Sequence, residues 1–139
     1  MPKLNLQVVS QEKELLSTEV DSLTVPTTTG RINILPKHIG LFSQLEVGEL
    51  VYKIGTERHS IVLTDGFINV NPNNTVTVMV DSAVHARDIS LSRAEKAIEA
   101  AKETMAKSKD QRELMMAEAS LKRAMLEIKV AEKSKKRKV

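Results

Sequence analysis

Cysteine is absent from this 139-residue chain, so disulfide scaffolds, thiolate metal sites and cysteine nucleophiles are all excluded. Aromatic residues are nearly absent too: Phe42, Tyr52 and Phe67 make up 2% of the sequence. Surfaces that stack on bases need several exposed rings, so this scarcity argues against nucleic-acid recognition. No apolar run approaches the roughly 20 residues needed to cross a bilayer. The opening MPKLNLQVV has neither the apolar block of a signal peptide nor the Arg- and Ser-rich character of a transit peptide. The expectation is a protein that stays in the compartment where it is made, and a reducing one fits.

The parts of an active site are missing as well. The five glycines are scattered, and neither a GxGxxG string nor a P-loop string is present. No GxSxG elbow occurs. His38, His59 and His85 show none of the HxH, HxxxH or HExxH spacings that seat a metal. Glu12 and Glu14 form a close carboxylate pair that a solvated turn at a strand edge explains. A stand-alone enzyme is a distant third reading, for want of an acid, base or metal cluster.

What is present divides the chain in two. The apolar share is 41%, enough for a packed core. Residues 1–86 carry six Lys/Arg against nine Asp/Glu, a net of −3, and residues 87–139 carry fifteen against nine, a net of +6. An acidic first half and a basic second half imply two modules with different partners.

Residues 1–86 read as β. Leu4, Leu6 and Val8 alternate with polar neighbours, as do Val76, Val78 and Val80 with Thr75, Thr77 and Met79, the period of strands buried on one face. Between them lie short runs at Val20 to Val25, Ile32 to Leu35, Leu50 to Ile54, Ile61 to Leu63 and Phe67 to Val70. Gly30, Gly48, Gly55, Gly66, Pro26, Pro36 and Pro72 punctuate these runs, and Asp65-Gly66 and Asn71-Pro72-Asn73-Asn74 are turn signals. The spacing implies an antiparallel sandwich or flattened barrel.

Residues 87–139 read as two helices. Leu91, Ala94, Ile98, Ala101 and Met105 recur at spacings of three and four, and Leu114, Ala117, Leu121, Ala124, Ile128 and Ala131 repeat the pattern after a polar break at Ser108-Lys109-Asp110. Ser90 or Asp88 is positioned to cap the first helix, and Asp110 the second. One large and one small residue per heptad let two backbones approach closely, which favours an antiparallel hairpin. Burying Leu114, Leu121 and Ile128 contributes about 1.5–3 kcal/mol each. Fixing each backbone residue costs roughly 1–2 kcal/mol before hydrogen bonding offsets it. A hairpin so balanced needs a surface to lean on, and an exchange between folded and extended forms is expected. The terminal KSKKRKV, Lys133 to Val139, reads as a solvated helix end whose cations suit the helix dipole, as a nucleic-acid or nuclear-import patch, or as a dock for an acidic protein.

Several strings, in order, resemble the epsilon subunit family of bacterial and plastid ATP synthases. They are Val20 to Leu50, which contains Leu35-Pro36-Lys37-His38 and Val47-Gly48-Glu49-Leu50, then Gly66 to Ala83, then RDISLSRAEKA and ASLKRAMLEIKVAEK. The resemblance implies a β-sandwich, residues 1–86, that grips the gamma subunit of the rotor and rests on the c-ring. It also implies a movable helical hairpin, residues 87–139, that restrains ATP hydrolysis by the alpha and beta subunits. Arg31, Lys37 and His38 fall in the segment that the family turns toward the c-ring, with Arg31 where an acidic residue is common. Lys122, Arg123, Lys129 and Lys133 suit an acidic loop of the beta subunits. Ile89, Arg93, Ala94 and Arg123 match an ATP-binding pattern of some bacterial members. Ser90 replaces that pattern's Asp, and Glu127 occupies the place of a second Arg, where it repels phosphate. No cofactor is needed beyond such a regulatory ATP. The implied location is peripheral, on the cytoplasmic face of a bacterial membrane, with the plastid thylakoid the lesser choice. A small nucleic-acid-binding protein with a basic helical tail is the other reading, and it demands steep salt dependence.

Overall fold

The computed structural model describes the backbone of residues 2–137 and the side chains of residues 2–134. Much of the basic run from Lys133 to Val139 therefore lies outside the described residues. Two compact units follow one another, the first ending at His85 and the second opening at Ala86.

The first unit is a β-sandwich. Among the described residues it holds ten strands: β1 Leu4–Val9, β2 Glu14–Val20, β3 Ser22–Thr27, β4 Gly30–Ile34, β5 Leu41–Leu45, β6 Gly48–Ile54, β7 Glu57–Leu63, β8 Gly66–Asn71, β9 Thr75–Val80 and β10 Ala83–His85. The hydrogen-bonded order is β10-β7-β6-β3-β5-β8-β9-β1-β2, with β4 alongside β3. Pairing is antiparallel except between β1 and β9, where Leu6 lies opposite Val76 in parallel register. The alternating residues expected to point inward do so: Leu4, Leu6, Val8, Val76, Val78 and Val80 are buried with Leu23, Val25, Ile34, Leu45, Leu50, Ile61, Leu63, Ile68 and Val70 in one core.

The run from Val20 to Val25 is two strands, not one. Asp21 breaks it, because its backbone N–H donates to the Lys53 carbonyl at 2.8 Å while its carboxylate accepts from the Gly55 N–H at 2.6 Å. Pro26, read as punctuation, lies inside β3. It is tolerated because β6 pairs only with Ser22, Leu23 and Thr24, and beyond them Pro26 offers its carbonyl to the Glu46 N–H at 2.9 Å. β5 escaped the sequence pattern since Leu41, Phe42 and Leu45 put apolar side chains on both phases of the strand.

In the second unit a 3-10 turn, Ala86–Asp88, leads to α1, Leu91–Lys107, and α2, Gln111–Arg137. The Ser90 hydroxyl caps α1 by accepting from the Arg93 N–H at 3.2 Å, and the Asp110 carboxylate accepts from the Arg112 N–H at 3.0 Å at the start of α2. The connection is three residues long, so the helices run antiparallel. Ala94, Ala101, Ala117, Ala124 and Ala131 are buried, whereas Leu114, Leu121 and Ile128 are half-buried and Met105 is exposed. The alanines form the seam and the larger side chains flank it, because close backbone approach leaves room for little more than a methyl group.

Gly66 opens β8 where two backbones nearly touch. A Cβ there would stand 2.0 Å from the Met79 carbonyl oxygen and 2.9 Å from Val80 Cα. Replacing Gly66 with Ala is expected to destabilise the sandwich by about 3 kcal/mol, read as a lower urea midpoint. Ala at Gly40, where the nearest atom is a Pro72 ring carbon at 3.6 Å, is expected to cost less than about 0.5 kcal/mol.

Candidate functional site

No group of three or more His, Asp or Glu side chains among the described residues is arranged to hold a metal ion. The histidines have local roles. The His38 Nδ1 lies 2.8 Å from the Ile39 carbonyl, His59 stacks on Tyr52 with centroids 5.0 Å apart, and His85 meets the edge of the same ring at 6.5 Å. The Glu14 carboxylate accepts from Gln7 Nε2 at 3.2 Å, so the acidic pair with Glu12 belongs to the strand edge.

The unusual surface is apolar. Because Ile68 and Val70 face the core, Phe67 and Asn69 face outward; because Leu45 faces inward, Phe42 and Gln44 face outward. Phe42 and Phe67 stack in the open, with ring centroids 5.6 Å apart and planes 19° from parallel. Phe42 is 64% exposed and Phe67 44%. Phe67 sits opposite Met79 on β9, and Met79 sits opposite Val9 on β1, so the apolar row crosses three strands. The loop from Leu35 to Gly40, which runs into β5, carries exposed apolar side chains of its own, Leu35 and Ile39, the latter 77% exposed. Side chains of this kind grouped on one face mark an interaction site. The sequence reading missed it by counting Phe42 and Phe67 as scarce aromatics. The available signal was phase: Phe67 shares its parity with the polar Asn69 and Asn71.

Of the three residues expected at the c-ring, the structure brings two together. Lys37 and His38 sit in the loop after β4, beside the turn between β8 and β9, where the Lys37 N–H donates to Asn74 Oδ1 at 2.6 Å. Arg31 lies opposite Pro26 near the other end of β4, next to the turn at Thr28 and Thr29. Three residue steps along β4 take the chain from Arg31 to Ile34, roughly 10 Å of rise. Arg31 and the Lys37–His38 pair therefore occupy opposite ends of the sandwich.

On α2, Lys122, Lys129 and Lys133 recur at spacings of seven and four and share one exposed face, along with the exposed Met115 and Met125. Lys122 pairs with Glu118 at 3.6 Å. Arg123 lies off that face, its Nε 3.3 Å from Glu127 Oε1, and the Glu127 side chain is only 18% exposed. The residues matching an ATP pattern are differently occupied. Ile89 closes the 3-10 turn, with its N–H on the Ala86 carbonyl at 3.3 Å, Ala94 is buried in the seam, and Arg93 is exposed. Of these residues, Arg123 therefore already carries a carboxylate on its Nε.

Comparison with known proteins bears on both units. The family model "ATP synthase, Delta/Epsilon chain, beta-sandwich domain" matches residues 3–86, and "ATP synthase, Delta/Epsilon chain, long alpha-helix domain" matches residues 87–132. The ATP synthase epsilon chain of Dehalococcoides mccartyi is 44% identical over 140 aligned positions, covering 98% of this chain and 97% of that one. The epsilon chain of Syntrophobacter fumaroxidans is 39% identical over 132 positions, covering 95% and 98%. Among solved structures, a chain of the Euglena gracilis mitochondrial ATP synthase OSCP/F1/c-ring assembly superposes with a TM-score of 0.77 at 25% identity, covering 88% of this chain and 78% of its own. A chain of the Tetrahymena thermophila mitochondrial central stalk and c-ring shares the fold, with a TM-score of 0.66 at 16% identity and coverage of 94% and 97%. With both units matched in order and relatives aligned almost end to end, the chain belongs to the ATP synthase epsilon chain family.

Proposed function

We propose that the chain is a non-catalytic part of the rotary central stalk. In this reading the sandwich binds the gamma shaft through the Phe42–Phe67 face, and the basic hairpin restrains ATP hydrolysis at the head. The observation that carries this is the stacked, solvent-facing Phe42–Phe67 pair: two of the chain's three aromatic residues stand outside its core. Aromatic anchors of this kind dominate interface energetics. The Leu35–Gly40 loop, with Lys37 and His38, leads directly into β5, which carries Phe42, and goes with the shaft in this reading. Arg31, at the other end and beside the polar Thr28-Thr29 turn, is the cation offered to the polar edge of the c-ring.

The hairpin's partners are the alpha and beta subunits. Lys122, Lys129 and Lys133 steer it toward acidic side chains, while Met115 and Met125 supply adaptable apolar contact. Coupling of proton-driven rotation to ATP synthesis follows from the first contact and inhibition of hydrolysis from the second. The complex holds the chain at the cytoplasmic face of the bacterial membrane; among the described residues no helix is long and apolar enough to cross. A nucleic-acid role finds no support in the comparisons. ATP has no part in this reading, because Glu127 supplies Arg123 with the negative charge that a phosphate would otherwise bring.

Three outcomes are expected. Changing Phe42 and Phe67 together to Asp lowers affinity for the gamma subunit at least about 100-fold by calorimetry, since each anchor is of hot-spot size. The melting temperature holds, both rings being exposed. Deleting residues 88–139 leaves the shaft contact in place and raises ATP hydrolysis by the assembled enzyme severalfold. A truncated chain that no longer binds gamma overturns the division of labour. Finally, millimolar Mg-ATP does not raise the melting temperature of the wild-type chain, and saturable ATP binding would show the Arg123–Glu127 pair to be irrelevant.

A further inference from the structure

We propose that Asn74 is a positioning residue for the shaft-facing loop, clamping Leu35–Gly40 in the one shape that presents Leu35 and Ile39; this rests on the shaft reading above. Asn74 ends the three-residue connection between β8 and β9, and three of its polar groups are committed to different segments. Its N–H donates to the Asn71 carbonyl at 3.1 Å, and its carbonyl accepts from the Asn5 N–H at 2.7 Å. Its side-chain Oδ1 accepts from the Lys37 N–H at 2.6 Å, across 37 positions of sequence. The start of β1, the β8–β9 turn and the middle of the β4–β5 loop thus meet at one residue.

The loop needs such a clamp. Lys37 has a φ of 69°, in the left-handed region that a residue with a long side chain seldom enters. Pro36 ahead of it sets the second position of a turn whose third position takes positive φ, but proline alone leaves Lys37 free to relax to extended backbone. An acceptor fixed in space above the Lys37 N–H selects the left-handed form. Asn74 is itself left-handed, with φ 68°, a conformation asparagine tolerates better than most residues, and this aims its carboxamide at the neighbouring loop. His38 adds a second restraint through its Nδ1 on the Ile39 carbonyl at 2.8 Å. Leu35 and Ile39, on either side of this locked turn, are among the most exposed aliphatic side chains of the sandwich. Apolar tips held in the bound shape lose less freedom on docking.

The decisive variant is Asn74→Gly in the full chain. Glycine keeps the left-handed backbone and both main-chain hydrogen bonds and deletes only the acceptor that holds Lys37. The Lys37 amide is expected to exchange faster with solvent. Affinity for the gamma subunit is expected to fall about threefold to tenfold, the population ratio one net hydrogen bond supplies. Asn74→Asp keeps the acceptor and restores affinity. Ile39→Ser, exposed and therefore harmless to folding, weakens binding in the wild-type chain and weakens it less in the Asn74→Gly background, as coupled residues do. Unchanged exchange at Lys37, or faster exchange with unchanged affinity, overturns the clamp. A wild-type chain that does not bind gamma overturns the shaft reading instead.

Discussion

Burial of one phase of each strand in a shared core governs what the other phase has to offer. Ile68, Val70, Val76, Val78 and Leu45 converge inward, and the period-two geometry then forces Phe67, Met79 and Phe42 outward. A one-residue slip anywhere in β8 would drive Phe67 into the core and expose Ile68 and Val70. Gly66 makes that slip still harder, because β9 comes so close to its Cα that no side chain fits. The exposed apolar face and the core are therefore specified together, and neither moves without the other.

The helical unit obeys a looser rule. Its seam is built of alanines, each of which buries a single methyl group, so the hydrophobic gain per turn is small. Caps at Ser90 and Asp110 and pairs such as Lys107–Glu103 at 3.0 Å fix the helices individually more firmly than they fix the helices to each other. Strong local helix formation combined with a weak seam suits the proposed brake, which has to separate and re-form. A leucine seam would contribute more stability and would hold the hairpin shut.

Much of this was written in the order of the residues. Alternation at Leu4 to Val8 and at Val76 to Val80, the alanine periodicity, and the caps at Ser90 and Asp110 are local signals, and each appears in the structure where the spacing put it. What stayed hidden depends on distant partners. The break at Asp21 needs Gly55 and Lys53, and the place of Pro26 inside a strand needs the departure of β6. The separation of Arg31 from Lys37 and His38 needs the length of β4. In sequence these three are near neighbours; a five-residue strand sends them to opposite ends. The apolar face was hidden for a related reason, since Phe42 and Phe67 are 25 positions apart and become a pair only when β5 meets β8.

In the proposed reading, opposite ends let so small a chain serve two contacts at once. A sandwich is stiff along its strands, so a load taken at the Arg31 end reaches the Lys37 end without bending the core between them. Charge is divided to match. The acidic sandwich offers few cations, and Arg31, Lys37 and Lys3 are spaced apart, whereas the hairpin carries the excess of positive charge. In the proposed reading, apolar rings hold one partner in a contact that salt barely weakens, and lysines draw the other in a contact that salt screens. On that reading, holding a turning shaft continuously while releasing a brake calls for that difference in the physics of the two attachments.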